Sequence, residues 1–179
     1  MKFTGTVLAG AMLIEAEKFP DQRGYYSRMW DQAEFAAHGL SGRIVQSDAA
    51  FNYQAHTLRG MHFQKPPYAQ AKLVRCVTGA LYDVIIDLRP DSPTFLRHVG
   101  VELTAENRLM LYVPEGFAHG YLTLRDNTEV AYQMSACYAP ESAGGVRYND
   151  PAFAITWPAQ VKVIHPRDAS YLDFKPGES

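Results

Sequence analysis

The stretch "TLRGMHFQKPPYAQAKLVRCVTGALYDVIIDL", residues 57–88, decides the fold. It contains three apolar-rich segments divided by the turn signals "KPPY" and "TG", and each segment has the length and composition typical of a β-strand. Short segments of the same kind flank it, at "RIVQSDAAF", "HVGVEL", "LMLYVP", "GYLTL" and "TEVAYQMSA". Eight or more short strands without alternating helices predict an all-β antiparallel sandwich or barrel, of which the jelly roll is one form.

One helix is predicted among these strands, at "DQAEFAAHG", residues 31–39. Asp31 can serve as its N-cap, with Glu34 as the partner in a capping box. Gly39 is the expected C-terminal stop, because glycine adopts the left-handed conformation that ends helices.

Both ends of the chain carry features that bear on its location and its fold. The apolar run "TVLAGAMLI", residues 6–14, is short for a secretory signal and is followed at once by "EAEKF". It therefore predicts a first strand, and a cytoplasmic protein, rather than a cleaved leader. The tail from about Asp150 onward is punctuated by prolines, and we expect it to wrap the outside of the fold.

The bulk composition indicates one soluble domain, residues 1–179. The chain is 47% hydrophobic with a formal net charge of -2, which gives no electrostatic reason to expect a nucleic acid or an anionic membrane as partner. No apolar run is long enough to span a bilayer. The two cysteines form no CxxC pair, and a buried free thiol is expected at Cys76, which fits a reducing compartment, although one disulfide stays open.

Period-two alternation assigns side chains to the faces of the predicted strands. Lys72 shares a face with small apolar residues, which suits the inside of a barrel. His62 shares a face with Gly60, whereas Arg59 falls on the opposite face. Arg59 and His62 can serve one pocket only if the regular pleating breaks between them, and Gly60 is the residue that would permit such a bulge.

The sequence carries little sign of a metal site or a nucleotide-binding motif. None of the six histidines forms an HxH pair, no glutamate follows His62 in the next strand, and Lys72 stands where a metal site would need an acceptor. There is no P-loop, no GxGxxG and no GxSxG sequence. We therefore expect neither a metal nor a cofactor.

A set of polar side chains on the predicted barrel strands remains: Arg59, His62, Lys72, His119, Tyr132 and Tyr138. Taken singly, each can be a hydrogen-bonded core residue, a lysine reaching the rim or a packing aromatic. Taken together, a histidine base, a lysine cation and a tyrosine acid are what proton abstraction beside a carbonyl needs.

At these residues the sequence resembles a known family. The segments "TLRGMHFQKPPYAQAKLVRCVTGALYDVIIDLRPDSPTF", "YVPEGFAHGYLTL", "YQMSACYAPE" and "YNDPAFAITWP" are similar to the dTDP-4-dehydrorhamnose 3,5-epimerase family, and the similarity runs from "DQRGYYSR" to "RD" near the C-terminus. The resemblance implies a cupin-like jelly roll (double-stranded β-helix) with one or two short helices. It also implies a metal-free homodimer that acts on a nucleotide-linked 4-keto-6-deoxyhexose at C3, C5 or both, in deoxysugar or polysaccharide biosynthesis.

The resemblance also implies residue roles. His62 resembles the catalytic base, and Asp168, in "HPRDAS", the acid that pairs with it and keeps it basic. Lys72 resembles the residue that stabilises the enolate, and Tyr132 the proton donor. Positions that hold the diphosphate, the base or the sugar are matched by Arg23, Gln46, Arg59, His119, Tyr138 and Arg167; a guanidinium fork suits phosphate oxygens.

Departures from the family pattern spare those proton-transfer residues and fall on substrate-holding positions. Arg28 and Ala143 stand where glutamates are common, and Arg167 stands where lysine is common. Asp48 ends a "QSD" triplet that is usually "QDN", and "YNDP" replaces "WDDP". A different nucleotide, a different sugar or inversion of only one carbon therefore stays open, as do a ketoisomerase, a non-catalytic sugar-binding module and a metal-dependent cupin enzyme.

Overall fold

Most of the strands expected from the sequence form in the computed structural model, which describes residues 1–175. In chain order they are β1 (Lys2–Gly5), β2 (Met12–Glu15), β3 (Phe19–Asp21), β4 (Gly24–Tyr26), β5 (Gln46–Asn52), β6 (Thr57–Gln64), β7 (Lys72–Thr78), β8 (Ala80–Asp87), β9 (His98–Thr104), β10 (Leu109–Val113), β11 (Phe117–Thr123), β12 (Thr128–Met134), β13 (Ala143–Gly145) and β14 (Val163–Ile164). The helices are short: α1 (Gln32–Ala37), α2 (Pro166–Ala169) and one 3-10 turn at Pro140–Ser142. The prediction of an all-β fold with one or two short helices is confirmed. No helix within residues 1–175 combines the length and apolar character needed to cross a membrane.

The strands form two sheets that pack face to face. The first sheet has the order β1-β2-β10-β7-β12-β5, and the second has the order β13-β6-β11-β8-β9. All of these pairings are antiparallel; β14 adds a short parallel pairing to β6, and β3 pairs with β4 as a separate hairpin. A jelly-roll arrangement of this kind buries one face of each sheet against the other.

The layer between the two sheets is the main core. Val74 and Cys76 of β7 lie in this layer, which confirms the face that alternation predicted for Lys72. Burial raises the pKa of the free Cys76 thiol to about 11, as expected for a structural cysteine. Polar side chains interrupt the apolar layer, among them Asp83 of β8 and His119 of β11, both almost fully buried.

The edge of β6 is covered in two pieces, and this shapes the site. β13 pairs with its C-terminal end, opposite His62 to Gln64, and β14 pairs with its N-terminal end, opposite Thr57 and Leu58. Helix α2 follows β14 immediately and contacts β6. The expectation that the tail merely wraps the outside was therefore incomplete, because the segment leading to α2 joins the edge of a sheet. Positions 176–179 of the expected 1–179 domain lie outside the described residues.

Helix α1 follows most of its prediction. The Asp31 side chain accepts a hydrogen bond from the amide of Glu34 at 3.0 Å, and Gly39 closes the helix at a φ of +72°. The Glu34 carboxylate was expected to complete a capping box, but it accepts instead from the amino group of Met1 at 2.6 Å. The stronger charge of the amino group, brought close by β1, accounts for the difference.

The first-strand prediction for residues 6–14 was wrong over most of its length. The chain forms β1 before this run, then a turn, and only Met12 begins the next strand, β2. Leu8 and Ala11 of the turn are nearly fully buried. The run is apolar because it forms a turn whose side chains pack into the core. Composition alone cannot distinguish such a buried turn from a buried strand.

Candidate active site

A bulge in β6 brings Arg59 and His62 to one cavity. Between these two residues β6 advances by three positions while β11, its partner, advances by two. The irregularity lies at Gly60, whose φ is +124° and where a Cβ would stand 2.5 Å from the Cα of Gly120. Only glycine fits this close approach of two backbones. The bulge predicted from the sequence is confirmed, and both side chains line the same cavity.

The cavity has two lobes of about 660 Å³ and 640 Å³. The first lobe opens toward Gln46 and Tyr138, and the second opens toward Arg59 and His119. Five residues line both lobes and therefore lie at their junction: Ala50, His62, Lys72, Tyr132 and Arg167. His62, Lys72 and Tyr132, the side chains expected to move protons or stabilise charge, thus lie where the two lobes meet.

His62 and Asp168 form a hydrogen-bonded pair across β6 and α2. The Nε2 atom of His62 lies 2.8 Å from Oδ1 of Asp168, whose Oδ2 accepts from the Gly60 amide at 3.1 Å. Arg167 Nε donates to the same Oδ1 at 3.2 Å. Burial alone would raise the pKa of Asp168, but the hydrogen bonds from His62, Gly60 and Arg167 lower it to about 2. Asp168 is therefore a carboxylate at any working pH.

The pairing fixes which nitrogen of His62 can act as a base. A carboxylate can only accept hydrogen bonds, so Nε2 carries the hydrogen that points to Asp168. The lone pair is then on Nδ1. Arg167 also places a terminal nitrogen 3.2 Å from Nε2, but a guanidinium only donates and a protonated Nε2 cannot accept. The favourable contact of Arg167 is with the carboxylate.

Lys72 and Tyr132 supply the other two groups. Burial lowers the pKa of Lys72 to about 8, while the Asp83 carboxylate opposes that shift. The Nζ atom of Lys72 donates to the carbonyl oxygen of His62 at 3.5 Å. Burial, together with the neighbouring Tyr121, raises the pKa of Tyr132 well above its usual value, so its phenol keeps its proton. Tyr132 is on β12 and His62 on β6, so base and phenol come from opposite sheets.

His119 is held by a second carboxylate. Its Nε2 atom lies 3.0 Å from Oδ2 of Asp83, and its ring meets that of Tyr132 edge-on at 6.2 Å between centroids. His119 borders the second lobe, as its predicted substrate-binding role requires. Within residues 1–175, no three His, Cys, Asp or Glu side chains group in a way that could hold a metal ion.

Comparison with known proteins agrees with this geometry. A family model described as dTDP-4-dehydrorhamnose 3,5-epimerase matches residues 5–176. The chain belongs to this family. A dTDP-4-dehydrorhamnose 3,5-epimerase of Sinorhizobium fredii is 41% identical over 171 residues, which cover 95% of this chain and 88% of the relative.

Solved structures of family members are equally similar. The crystal structure of the dTDP-4-dehydrorhamnose 3,5-epimerase from Elizabethkingia anophelis has a TM-score of 0.94 at 38% identity, covering 97% of this chain and 96% of that one. The one from Bacillus anthracis, with TDP and PPi bound, has a TM-score of 0.92 at 38% identity, covering 97% and 99%. The expected epimerase family and its cupin-like fold are thereby confirmed.

Most of the side chains that the family resemblance singled out converge on this cavity. In the first lobe Gln46 accepts from the Tyr138 amide at 2.8 Å and donates to Asp48 at 2.7 Å. These hydrogen bonds hold Gln46 and Asp48, the two ends of the "QSD" triplet, in place. In the second lobe Arg59 Nε donates to Asn52 Oδ1 at 2.8 Å. One terminal nitrogen of Arg59 donates to the carbonyl oxygen of Phe51 at 3.4 Å.

Arg23 is the exception among the predicted site residues. It lies in the β3–β4 hairpin, where its side chain is 84% exposed and pairs with Asp21. It lines neither lobe of the cavity. One chain alone therefore does not bring Arg23 to the site of this epimerase-family protein. Arg23 lies in a hairpin that forms a two-stranded sheet of its own and pairs with Asp21 within it.

Sequence reasoning missed four side chains of the site or its support. Tyr121 and Asp83 carried a usable signal: Tyr121 follows His119 by two positions on one strand face, and Asp83 interrupts an otherwise apolar strand. Asn52 and Tyr171 carried none. Tyr171 reaches the first lobe only because Gly145 has no side chain; a Cβ there would lie 2.2 Å from the ring.

Proposed function

We propose that the protein is a cofactor-independent epimerase that inverts C3, C5 or both of a nucleotide-linked 4-keto-6-deoxyhexose. The single observation that carries the proposal is the junction of the two lobes. There the Asp168-paired His62 and the protonated Tyr132 come from opposite sheets, with the Lys72 ammonium beside them. A base and an acid on different walls of one cavity are what inversion by deprotonation and reprotonation requires.

The proton path follows from the geometry. A ketone at C4 acidifies the hydrogens on C3 and C5, and Nδ1 of His62 removes one of them. The electron pair moves to the ketone oxygen, where the Lys72 ammonium stabilises the enolate. Tyr132 then returns a proton to the opposite face of the same carbon. His62 passes its proton to solvent and the Tyr132 phenolate regains one, so the enzyme returns to its starting state.

The remaining residues are proposed to bind substrate. Arg59 and Arg167 suit the diphosphate, and Gln46, His119 and Tyr138 suit the sugar or the base. The TDP and PPi bound to the Bacillus anthracis relative support a diphosphate-containing ligand. Asp48, Arg28 and Ala143 vary from the family pattern, so the nucleotide and sugar are left to experiment.

We further propose a single-domain, cytoplasmic homodimer that serves deoxysugar or polysaccharide biosynthesis. The β3–β4 hairpin supports a dimer, because it forms a sheet of its own and exposes Phe19, Tyr25 and Tyr26. A second copy is also the simplest route by which Arg23 could meet a substrate. The unpaired cysteines fit the cytoplasm. Light scattering of the purified chain measures the oligomeric state, and a monomer at micromolar concentration would refute the dimer.

The activity is tested by incubation with dTDP-4-keto-6-deoxyglucose in deuterated water and NMR of the sugar protons. We expect the C3 signal, the C5 signal or both to disappear as deuterium enters, and the His62→Ala variant to abolish the loss. His98→Ala is the matched control, since His98 lies on β9 and lines neither lobe. Loss at one carbon identifies a monofunctional epimerase. Binding without exchange, across several nucleotides, would contradict the proposal and favour a sugar-binding module.

A further inference from the structure

The ring of Tyr171 lies beside the proposed base, and the chemistry above gives it no task. Tyr171 is two residues beyond the end of α2, three positions after Asp168, and it lines the first lobe of the cavity. Its ring centroid is 6.4 Å from that of His62, with 75° between the two ring planes. Aromatic rings prefer such an edge-to-face arrangement to a face-to-face stack. The segment that carries Asp168 therefore meets His62 a second time.

Gly145 leaves the space in which this ring lies. It is on β13, opposite His62 in the register of β13 with β6. A Cβ at Gly145 would stand 2.2 Å from Cζ of Tyr171 and 2.6 Å from its hydroxyl oxygen, so any larger residue would collide with the ring. The φ of Gly145 is not positive, so the glycine is explained by the space it leaves and not by its backbone conformation. The fold thus keeps a place for an aromatic ring next to the base.

Asp168 alone does not fix the direction of the His62 lone pair. Rotation about the Cβ–Cγ bond of a histidine has a broad energy minimum. Nε2 lies closer than Nδ1 to the axis of that bond, so a turn of the ring moves Nδ1 further than it moves Nε2. The 2.8 Å hydrogen bond from Nε2 to Asp168 can therefore persist while Nδ1 swings away from the substrate carbon. A second contact, on the ring itself, is needed to set its plane.

The polar neighbours of His62 do not supply this contact. Arg167 approaches Nε2 at 3.2 Å, the end of the ring that Asp168 already holds, and Lys72 reaches only the backbone carbonyl of His62. Within residues 1–175 no aromatic ring other than that of Tyr171 meets the imidazole. Burial raises the pKa of Tyr171, although Arg167 opposes the shift, so the phenol is neutral and adds no charge beside the base. Its effect on His62 is therefore one of packing.

We propose that Tyr171 is a positioning residue for His62: its ring packs edge-to-face against the imidazole and keeps Nδ1 directed at the carbon that loses its proton. The inference rests on the proposed function, because it assumes that His62 is the base. In the assisted step a C–H bond of the substrate breaks, its proton goes to Nδ1 and its electron pair moves to the ketone oxygen. No bond of Tyr171 forms or breaks. Because the reacting atoms must be closely aligned, a small swing of the imidazole slows the transfer.

The test compares a variant that keeps the ring with one that removes it. Tyr171→Phe loses only the hydroxyl, whereas Tyr171→Leu loses the ring. With dTDP-4-keto-6-deoxyglucose in deuterated water, NMR measures the rate of deuterium entry, and a steady-state assay of epimer formation gives kcat and KM. We expect Tyr171→Leu to lower kcat and deuterium entry together, about tenfold, with KM changed by less than about twofold. Tyr171→Phe should stay within about twofold of the wild type in all three quantities.

Two further variants separate orientation from folding. Gly145→Ala keeps Tyr171 but puts a Cβ where the ring lies, so it should displace the ring and lower kcat as Tyr171→Leu does. This variant decides the matter if Tyr171→Leu does not fold. Tyr148→Leu is the matched control, because it also removes a half-buried tyrosine ring that packs against an aromatic neighbour, Trp157. Tyr148 lines neither lobe, so kcat and KM should stay unchanged.

Four results would overturn the inference. A wild-type kcat in Tyr171→Leu would show that His62 needs no second contact. Equal losses in Tyr171→Phe and Tyr171→Leu would show that the hydroxyl acts, not the ring. A higher KM with unchanged kcat in Tyr171→Leu would show that the ring binds substrate and does not orient the base. Wild-type protein that exchanges no proton with any nucleotide would refute the proposed function, and this inference with it; the first three results leave that function standing.

Discussion

Two histidine–aspartate pairs border the same cavity, and they differ mainly in their access to solvent. His62 and Asp168 join β6 to α2, and the His62 side chain is 33% exposed. His119 and Asp83 join neighbouring strands of one sheet, and the His119 side chain is 5% exposed. The nitrogen–oxygen distances are nearly equal, 2.8 Å and 3.0 Å. The same two residue types are therefore placed in two environments, one open and one closed.

The difference shows what a base needs beyond a carboxylate partner. A base that removes a proton in each turnover must pass it on, and only the His62 pair meets the cavity with an exposed ring. The buried pair cannot exchange protons readily, but it can present a fixed ring to substrate and place a carboxylate near Lys72. We therefore propose that the first pair transfers the proton and that the other pair supports the second lobe.

The largest effect on catalysis is expected from a substitution in the more exposed pair, His62 and Asp168. Asp168→Asn removes the group that holds the hydrogen on Nε2 of His62, so the lone pair is no longer fixed on Nδ1. We expect kcat to fall about a hundredfold or more, with KM little changed, in a steady-state assay of epimer formation. An effect of less than about threefold would favour a ketoisomerase, in which the pair is not required.

The same residue should also set the acid stability of the protein. The pKa of Asp168 in the folded state, about 2, is below the ordinary value of 3.8, so its ionised form stabilises the fold above about pH 4. This contribution, about 2 kcal/mol, is lost as the pH falls through 2. Urea unfolding between pH 5 and 2 should therefore be less pH-dependent in Asp168→Asn than in the wild type.

Asp87 offers a matched control for that measurement. Although burial would raise the pKa of Asp87, hydrogen bonds from Arg89, Ser92 and Thr94 lower it to about 2. Asp87→Asn should flatten the acid dependence in the same way but leave the epimerase activity intact, because Asp87 lines neither lobe. An unchanged pH dependence of unfolding in Asp168→Asn would contradict the hydrogen-bonded carboxylate described here.

The smallest effect on catalysis is expected from a substitution in the buried pair, His119 and Asp83. If the Lys72 ammonium stabilises the enolate, kcat should decline as the pH rises through about 8, where Lys72 loses its proton. Asp83 raises the pKa of Lys72, so Asp83→Asn should move this decline to lower pH. At pH 7.5 the rate should fall about threefold. A decline that stays at the wild-type pH would show that Lys72 is not the group that titrates.

Local pattern predicted those parts of the site that lie within one strand. The face of Lys72 followed from period-two alternation, and the bulge between Arg59 and His62 followed from the glycine between them. The same alternation would have found Tyr121 beside His119, had it been applied to β11. The helix cap at Asp31 was equally local, and it was predicted correctly.

Contacts between residues far apart in the sequence could not be predicted from local sequence patterns. Asp168 is 106 positions from His62, and only resemblance to the family linked them before the structure did. Glu34 met the amino group of Met1 rather than its N-cap because β1 places the chain start beside the helix. Arg23 was expected at the substrate, yet no property of its local sequence shows that it lies outside both lobes of the cavity of its own chain.

The most direct test of the contrast replaces the two histidines separately by asparagine and measures deuterium entry into dTDP-4-keto-6-deoxyglucose by NMR. His62→Asn should show no entry at C3 or C5 above the buffer rate. His119→Asn should retain entry, with a higher KM, because its ring borders the substrate without removing a proton. Entry that survives in His62→Asn and disappears in His119→Asn would contradict the assignment and make the buried pair the base.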